Sequence, residues 1–350
     1  MKDTRTPLTI LTGFLGAGKT TLLNAVLSDS TNGRVAVIVN EFGEAGLDNH
    51  LIEESTDDVV LMQSGCLCCS VRGDLSNTIE NLIRKNIRKE INFERIVIET
   101  TGIADPGPIM QTLLLDKVLA STTRLDGIVT VADAINGVAT LNTQFEAVSQ
   151  AALADLIILS KTDIASPQQI QDFKSRLEKI NPTSKIICSI KGNGIQKQIW
   201  GLNALKEKSS YKDVLSWTTG IEPKLSELDN VSGLAPAKTI SKPAFIHDSK
   251  IQSCSIILDN PISNTTFDNW LDTLIGAKGS DILRIKGIVF LENIDAPFVF
   301  HGVQHVFDPP VQLKKWRGKD RQSRIVVIAR NISKPQLQRS LDMLRIQSDN

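Results

Sequence analysis

Eight residues near the start of the chain have the types and spacing of a phosphate-binding loop. They are Gly13, Phe14, Leu15, Gly16, Ala17, Gly18, Lys19 and Thr20, which read G-x-x-x-x-G-K-T and are followed by Thr21. An apolar run at residues 8–12 predicts a buried strand before the loop, and the apolar spacing of residues 21–27 predicts a helix after it. Backbone N–H groups and the helix dipole favour phosphate there. We expect Lys19 to reach the β- and γ-phosphates and the Thr20 hydroxyl to bind Mg²⁺.

An acid at the end of another apolar run predicts a second part of this site. Residues 95–98 are apolar or basic and lead to Glu99, a Walker B arrangement in which the acid holds Mg²⁺ or its waters. Thr100, Thr101 and Gly102 follow, and the N–H of Gly102 is expected to meet the γ-phosphate.

A glycine-containing acidic segment follows the predicted strand at residues 34–40. It contains Glu41, Glu44 and Asp48, at a position where P-loop GTPases have a switch loop. An acidic surface loop is the alternative. All three acids are candidates for the hydrolytic base, and we assign catalytic roles to Lys19, Thr20, Glu99 and Glu41.

The tetrapeptide Ser160-Lys161-Thr162-Asp163 follows the apolar run 156–159. The Asp163 carboxylate can accept hydrogen bonds from guanine N1–H and the 2-amino group, and adenine lacks that amino group. Lys161 would lie along the base, and Ser160 stands where Asn is commoner. The segment therefore predicts a guanine site, with an ATPase or kinase as the alternative.

Three of the five cysteines, Cys66, Cys68 and Cys69, lie within four residues. Such thiolates suit one soft divalent ion, with zinc favoured, and three protein ligands leave a tetrahedral metal one position short. The fourth ligand could be a carboxylate from the acidic segment, water or a partner. Small buried apolar side chains and redox chemistry are the alternatives. Cys188 lies among aliphatic residues and is expected to be buried.

The whole chain has 350 residues, a formal net charge of +0 and 41% hydrophobic residues, which is typical of a globular protein of about two domains. No apolar run approaches the roughly 20 residues of a membrane span. Nothing in the overall charge favours nucleic acid or a membrane as partner, and the cysteine cluster is typical of a cytoplasmic protein.

Alternating strand and helix patterns predict an α/β fold. We expect a P-loop NTPase domain with a mostly parallel, doubly wound sheet at residues 1–205, with residues 195–205 as its last helix. A linker at 206–242 and a smaller α+β domain at 243–350 should follow. In that domain His301 and His305 are predicted on one strand and therefore one face, either as a metal pair or as two half-exposed histidines.

These motifs together resemble the CobW family of P-loop GTPases. The resemblance rests on G-F-L-G-A-G-K-T, N-E-F-G-E-A-G-L-D, G-C-L-C-C, I-E-T-T-G-I-A-D-P, S-K-T-D and R-I-K-G near Arg284, and it covers nearly the whole chain. The family is related to the nickel-insertion GTPases of hydrogenase and urease maturation. It includes zinc chaperones and cobalt-handling proteins of cobalamin synthesis. No histidine-rich segment of the kind some members use to store metal is present.

The resemblance implies a GTP-hydrolysing metallochaperone. GTP and Mg²⁺ would occupy the P-loop, the cysteines would carry Zn²⁺, or Co²⁺ or Ni²⁺, and the cargo would pass to a client metalloprotein. Relatives pair across their nucleotide sites, so a homodimer is compatible with the resemblance. A regulatory GTPase with a structural or redox cysteine cluster, and cobalt handling for cobalamin synthesis, are the alternatives.

Overall fold

The computed structural model describes residues 3–29, 33–39, 59–63, 71–202, 251–307, 310–313, 316 and 321–345. The chain divides into two compact units, Met1–Asn203 and Ala204–Asn350. The predicted linker lies outside the described residues. Within those residues no helix has the length and apolar character needed to cross a membrane.

In its described part, the first unit contains a seven-stranded sheet in the order β3-β2-β4-β1-β5-β6-β7. Its strands are β1 (Thr6–Thr12), β2 (Val35–Val39), β3 (Val59–Gln63), β4 (Arg95–Glu99), β5 (Thr123–Asp133), β6 (Leu156–Ser160) and β7 (Lys185–Cys188). Neighbouring strands are parallel throughout this sheet. Every residue of β2 is buried, as expected for a strand with both faces covered.

Helices connect these strands. They are α1 (Lys19–Leu27), α2 (Val71–Ile87), α3 (Gly107–Leu115), α4 (Lys117–Thr122), α5 (Gly137–Thr143), α6 (Phe145–Leu153) and α7 (Pro167–Ile180). From β1 the chain moves in one direction to β2 and then β3, returns to β4 between β2 and β1, and continues past β1 in the opposite direction to β5, β6 and β7. Since parallel crossovers are right-handed, connections that run in the two directions place their helices on opposite faces of the sheet. The predicted P-loop-type, doubly wound α/β fold is confirmed.

The sheet order determines where ligands can bind. β1 lies between β4 and β5, and β5 pairs with β6. The carboxyl ends of these parallel strands therefore share one edge of the sheet, where open α/β sheets bind ligands.

The second unit is an antiparallel sheet with helices packed on it, and its described strands follow the order β11-β10-β9-β13-β8, with β12 paired to β10. They are β8 (Ile251–Leu258), β9 (Ile282–Val289), β10 (Phe298–Val303), β11 (Val306–Phe307), β12 (Val311–Gln312) and β13 (Ser323–Arg330). Helices α8 (Asn264–Lys278) and α9 (Lys334–Asp342) bury Trp270 and Leu337 in its main core, and Trp270 Nε1 donates to Ser340 Oγ at 3.2 Å. This confirms the smaller α+β domain.

Three local predictions were wrong. β10 ends at Val303 because Gln304 adopts φ = 55° in a turn, so exposed His305 does not share a strand with buried His301. Cys188 is exposed because β7 is an edge strand. Residues 195–200 form turns rather than a helix, although Ile195 and Ile199 are buried against the sheet.

Candidate nucleotide-binding site

The G-x-x-x-x-G-K-T loop joins β1 to α1 with a shape that needs its glycines. A Cβ at Gly13 would collide with the carbonyl oxygen of Val131 on β5. Gly18 precedes α1 with φ = 95° and ψ = 29°, in the left-handed region that glycine tolerates best. A Cβ at Gly16 or Gly18 would meet no heavy atom within 4 Å, so the loop is open there. A concave, glycine-lined backbone at a helix N-terminus fits a polyphosphate.

Lys19 and Thr20 begin α1, and the structure brings them to the acid at the end of β4. Thr20 Oγ1 donates to Glu99 Oε1 at 3.0 Å, and Lys19 Nζ donates to Phe14 O at 3.4 Å. Glu99 is only 5% exposed and pairs in register with Leu11 of β1. A hydroxyl and a carboxylate this close form an all-oxygen donor set, which is the set Mg²⁺ prefers.

The Thr100–Gly102 segment lies directly against the P-loop. Thr100 N donates to Leu11 O at 2.9 Å, and its hydroxyl donates to Thr12 Oγ1 at 2.8 Å. A Cβ built on Gly102 would lie 2.6 Å from the backbone nitrogen of Leu15. The two loops therefore meet backbone to backbone, and only glycine fits at position 102 without displacing one of them.

The base-reading tetrapeptide is anchored to the same loop. Ser160 Oγ donates to Ala17 O at 2.7 Å, so the hydroxyl joins the end of β6 to the P-loop. Lys161 adopts φ = 56°, a conformation that costs a non-glycine residue about 1–3 kcal/mol, and its Nζ donates to Asp133 Oδ2 at 2.8 Å. Asp163 is exposed. The carboxylate that should read the base is thus accessible to a ligand.

Asp133, at the end of β5, holds Lys161 in place. Burial raises the pKa of the Asp133 carboxyl, but hydrogen bonds from Lys161, from the Asn136 side chain and from the N–H groups of Ile135 and Asn136 lower it in net below its ordinary 3.8. A carboxyl whose pKa is lower in the folded state contributes stability above its ordinary pKa and loses it as pH falls through the folded value. The Asp133 carboxyl therefore remains ionised at neutral pH.

The acidic segment and the cysteine cluster predicted from the sequence are not part of the described site. Glu41, Glu44 and Asp48, and likewise Cys66, Cys68 and Cys69, lie outside the described residues. Across the part of the chain that is described, no cluster of three or more His, Cys, Asp or Glu side chains could hold a metal.

Two features of the site were not assigned from the sequence. Asp133 was given no role, although an acid at the end of the apolar run 128–132 was a usable signal. Gln150 on α6 contacts the Gly102 segment and had no sequence signal. Both side chains line a cavity of about 270 Å³ that adjoins Phe14 and Leu15 of the P-loop.

Comparison with known proteins identifies the family. A family model described as CobW/HypB/UreG, nucleotide-binding domain, matches residues 7–188. The chain belongs to this family. A second model, the cobalamin synthesis protein cobW C-terminal domain, matches residues 251–345. The predicted resemblance is confirmed across both units, and this CobW-family chain is a P-loop GTPase.

Named relatives span most of the chain. The zinc chaperone YjiA of Escherichia coli is 31% identical over 306 residues, covering 86% of each protein. The zinc-regulated GTPase metalloprotein activator 1 of Schizosaccharomyces pombe is 34% identical over 348 residues, covering 93% of this CobW-family chain and 82% of the relative. A crystal structure of Zn(II)-bound YjiA from E. coli matches with a TM-score of 0.71 and 27% identity, over 98% of this chain and 99% of that one.

The contact between the two loops gives a first test. Gly102→Ala places a methyl group against the backbone of Leu15, so we expect the affinity for a non-hydrolysable GTP analogue to fall about tenfold or more, equivalent to about 1.4 kcal/mol of strain. Titration with a fluorescent analogue measures it. Gly276→Ala on α8 is the matched control, because a Cβ there meets nothing within 4 Å. Wild-type affinity in Gly102→Ala would contradict the steric argument.

Proposed function

We propose that this CobW-family GTPase is a zinc metallochaperone that hydrolyses GTP and passes zinc to a client metalloprotein. The observation that carries the proposal is the position of the C-x-C-C segment. It begins at Cys66, three residues beyond β3, and β3 ends at the same edge of the sheet as the P-loop strand. With strands about 4.8 Å apart, the ends of β3 and β1 are roughly 14 Å from each other. Metal and nucleotide are then close enough to influence one another.

Each part of the nucleotide has a proposed partner. Residues 13–21 bind the phosphates, with Lys19 at the β- and γ-phosphates. Ser160, Lys161 and Asp163 hold guanine. Thr20 and Glu99 would hold Mg²⁺, which would neutralise charge developing on the phosphates. The 3.0 Å hydrogen bond between Thr20 and Glu99 supports this assignment because it shows both oxygens converging beside the loop.

Hydrolysis converts GTP and water into GDP and phosphate. The chain contributes mainly by positioning and by charge, since phosphoryl transfer needs little covalent chemistry from the protein. Lys19 neutralises the phosphate oxygens, and the N–H of Gly102 donates to the γ-phosphate. Glu41 orients the attacking water and receives its proton, with Glu44 and Asp48 as alternatives.

Zinc is the favoured cargo. Three thiolates suit zinc, and they also accept Co²⁺ and Ni²⁺. Both relatives described above carry zinc in their names. A Zn(II)-bound YjiA triple mutant, with one glutamate and two cysteines replaced by alanine, matches this chain with a TM-score of 0.72 and 27% identity. Zinc binding in that relative therefore does not require all of its thiols. A zinc titration of this chain must report the number of tight sites as well as their affinity.

The proposed coupling begins at the γ-phosphate. Loss of the γ-phosphate removes the ligand that Gly102 would bind, and any contact that Glu41, Glu44 or Asp48 makes near that phosphate would be lost with it. The metal segment after β3 then holds its cargo less tightly. The client would supply the fourth zinc ligand. The transfer would take place in the reducing cytoplasm, and the protein would act as a homodimer paired across its nucleotide sites.

The Mg²⁺ assignment predicts a specific defect in Glu99→Gln. The amide oxygen still accepts from Thr20, but the negative charge is lost, so we expect the Mg²⁺ concentration for half-maximal hydrolysis to rise about 10- to 100-fold. Nucleotide affinity measured in chelator should stay the same. Glu94→Gln, on an exposed side chain just before β4, is the control. An unchanged Mg²⁺ requirement would remove Glu99 from the site.

The metal assignment is tested by replacing Cys66 and Cys68 together with Ser. We expect one tight zinc equivalent to disappear, with affinity at that site falling by more than about 100-fold because direct ligands matter more than their supporting residues. Competition against a chromophoric chelator measures both number and affinity. Cys188→Ser is the matched control because that thiol is exposed and outside the motif. Undiminished tight binding in the double variant would end the metallochaperone proposal.

A further inference from the structure

We propose that Gln150 is a positioning residue that holds the Gly102 segment against the P-loop and thereby sets how strongly the protein prefers GTP to GDP. The inference rests on the proposed nucleotide site, in which the N–H of Gly102 meets the γ-phosphate. It adds a residue on α6 that touches neither nucleotide nor metal in that proposal.

One amide of Gln150 joins two points of the segment. Its Nε2 donates to Gly102 O at 3.1 Å and to Ala104 O at 3.0 Å. A carbonyl oxygen can only accept a hydrogen bond, so the NH₂ group of the Gln150 amide, and not its oxygen, must face Gly102 O and Ala104 O. Because the bonds fall on either side of Ile103, they fix both the position and the direction of the Gly102 peptide.

The anchor of Gln150 is rigid. The residue is 1% exposed, and its backbone carbonyl accepts a hydrogen bond from Thr130 Oγ1 of β5 at 2.8 Å. A neighbouring side chain adds a longer link, since Ser149 Oγ lies 3.4 Å from Asp105 Oδ1. Helix α6 is therefore fixed to the central sheet, and the Gly102 segment is fixed to α6.

The hydrogen bonds of the Gln150 amide indicate that its NH₂ donor, rather than its oxygen, holds the Gly102 segment. Among the described residues, the buried Gln150 Oε1 finds no hydrogen-bond partner. Burying an unpaired acceptor costs free energy, and a methionine of similar size would avoid that cost. Residues that break a local packing rule in this way tend to serve function.

Packing alone does not hold the segment. The outer side of the segment faces solvent, since Ile103 is 49% exposed and Ala104 is partly exposed. That side leaves room for the segment to shift once its hydrogen bonds are removed. A shift would move the Gly102 N–H away from the γ-phosphate and leave the rest of the P-loop unchanged. GTP binding should weaken while GDP binding persists.

The test compares affinities for a fluorescent non-hydrolysable GTP analogue and for fluorescent GDP, both with Mg²⁺. Gln150→Met keeps size and helix propensity but removes the donor. We expect its affinity for the GTP analogue to fall about tenfold and its affinity for GDP to change less than about twofold. Gln150→Asn is a milder second variant whose shorter amide cannot reach both carbonyls, and it should shift the ratio in the same direction by less.

A matched control is a buried amide that contacts the same helix from the end of α7. Asn181 is fully buried, and its Nδ2 donates to the carbonyls of Ala151, Ala152 and Ala154 at 2.9–3.0 Å, at the C-terminal end of α6 and just beyond it. Asn181→Leu should lower thermal stability without changing the ratio of the two affinities. A merely structural role for Gln150 predicts the same behaviour for both positions.

The outcomes separate the two proposals. A selective loss of GTP-analogue affinity in both Gln150 variants supports the inference. Equal losses for both nucleotides, or a wild-type ratio in Gln150→Met and Gln150→Asn, overturn it while leaving the nucleotide site intact. A wild-type protein that binds neither nucleotide tightly overturns the nucleotide site and the inference together.

Discussion

The parallel pairing of β1 with β4 on one side and β5 on the other is the constraint on which the rest of the site depends. It places the P-loop, Glu99 and Asp133 at one edge of the sheet, because all three follow or end these strands. Asp133 then orients Lys161 from β6, and Glu99 meets Thr20 across the loop. Each polar contact is short because the sheet has already brought its partners together.

A second constraint is the absence of space between the two loops. Gly102 touches the backbone of Leu15, so a change at the phosphates and a change in the Thr100–Ala104 segment cannot be independent. Close-packed backbones transmit displacement because they have no side-chain freedom to absorb it. In the proposed nucleotide site, this contact is where the presence of a γ-phosphate would become a structural signal.

The parts of the site that depend on consecutive residues could be predicted from the sequence. Buried parallel strands are continuous apolar runs, so the ends that carry Glu99 and Ser160 could be predicted closely. The short helices α4 and α5, and the turn at Gln304, were missed because they lack a long periodic pattern. The Asp133–Lys161 and Gln150–Gly102 bonds join residues 28 and 48 positions apart, and no spacing rule connects such distant residues.

The most direct test of the central claim is the zinc dissociation constant of the full chain in three states, by chelator competition: without nucleotide, with a non-hydrolysable GTP analogue and Mg²⁺, and with GDP and Mg²⁺. The account predicts that zinc binds about 5- to 150-fold more tightly in the GTP-analogue state than in the GDP state, which corresponds to a coupling of about 1–3 kcal/mol. Equal zinc affinity in all three states would contradict nucleotide-driven hand-over and would leave the metal with a structural role.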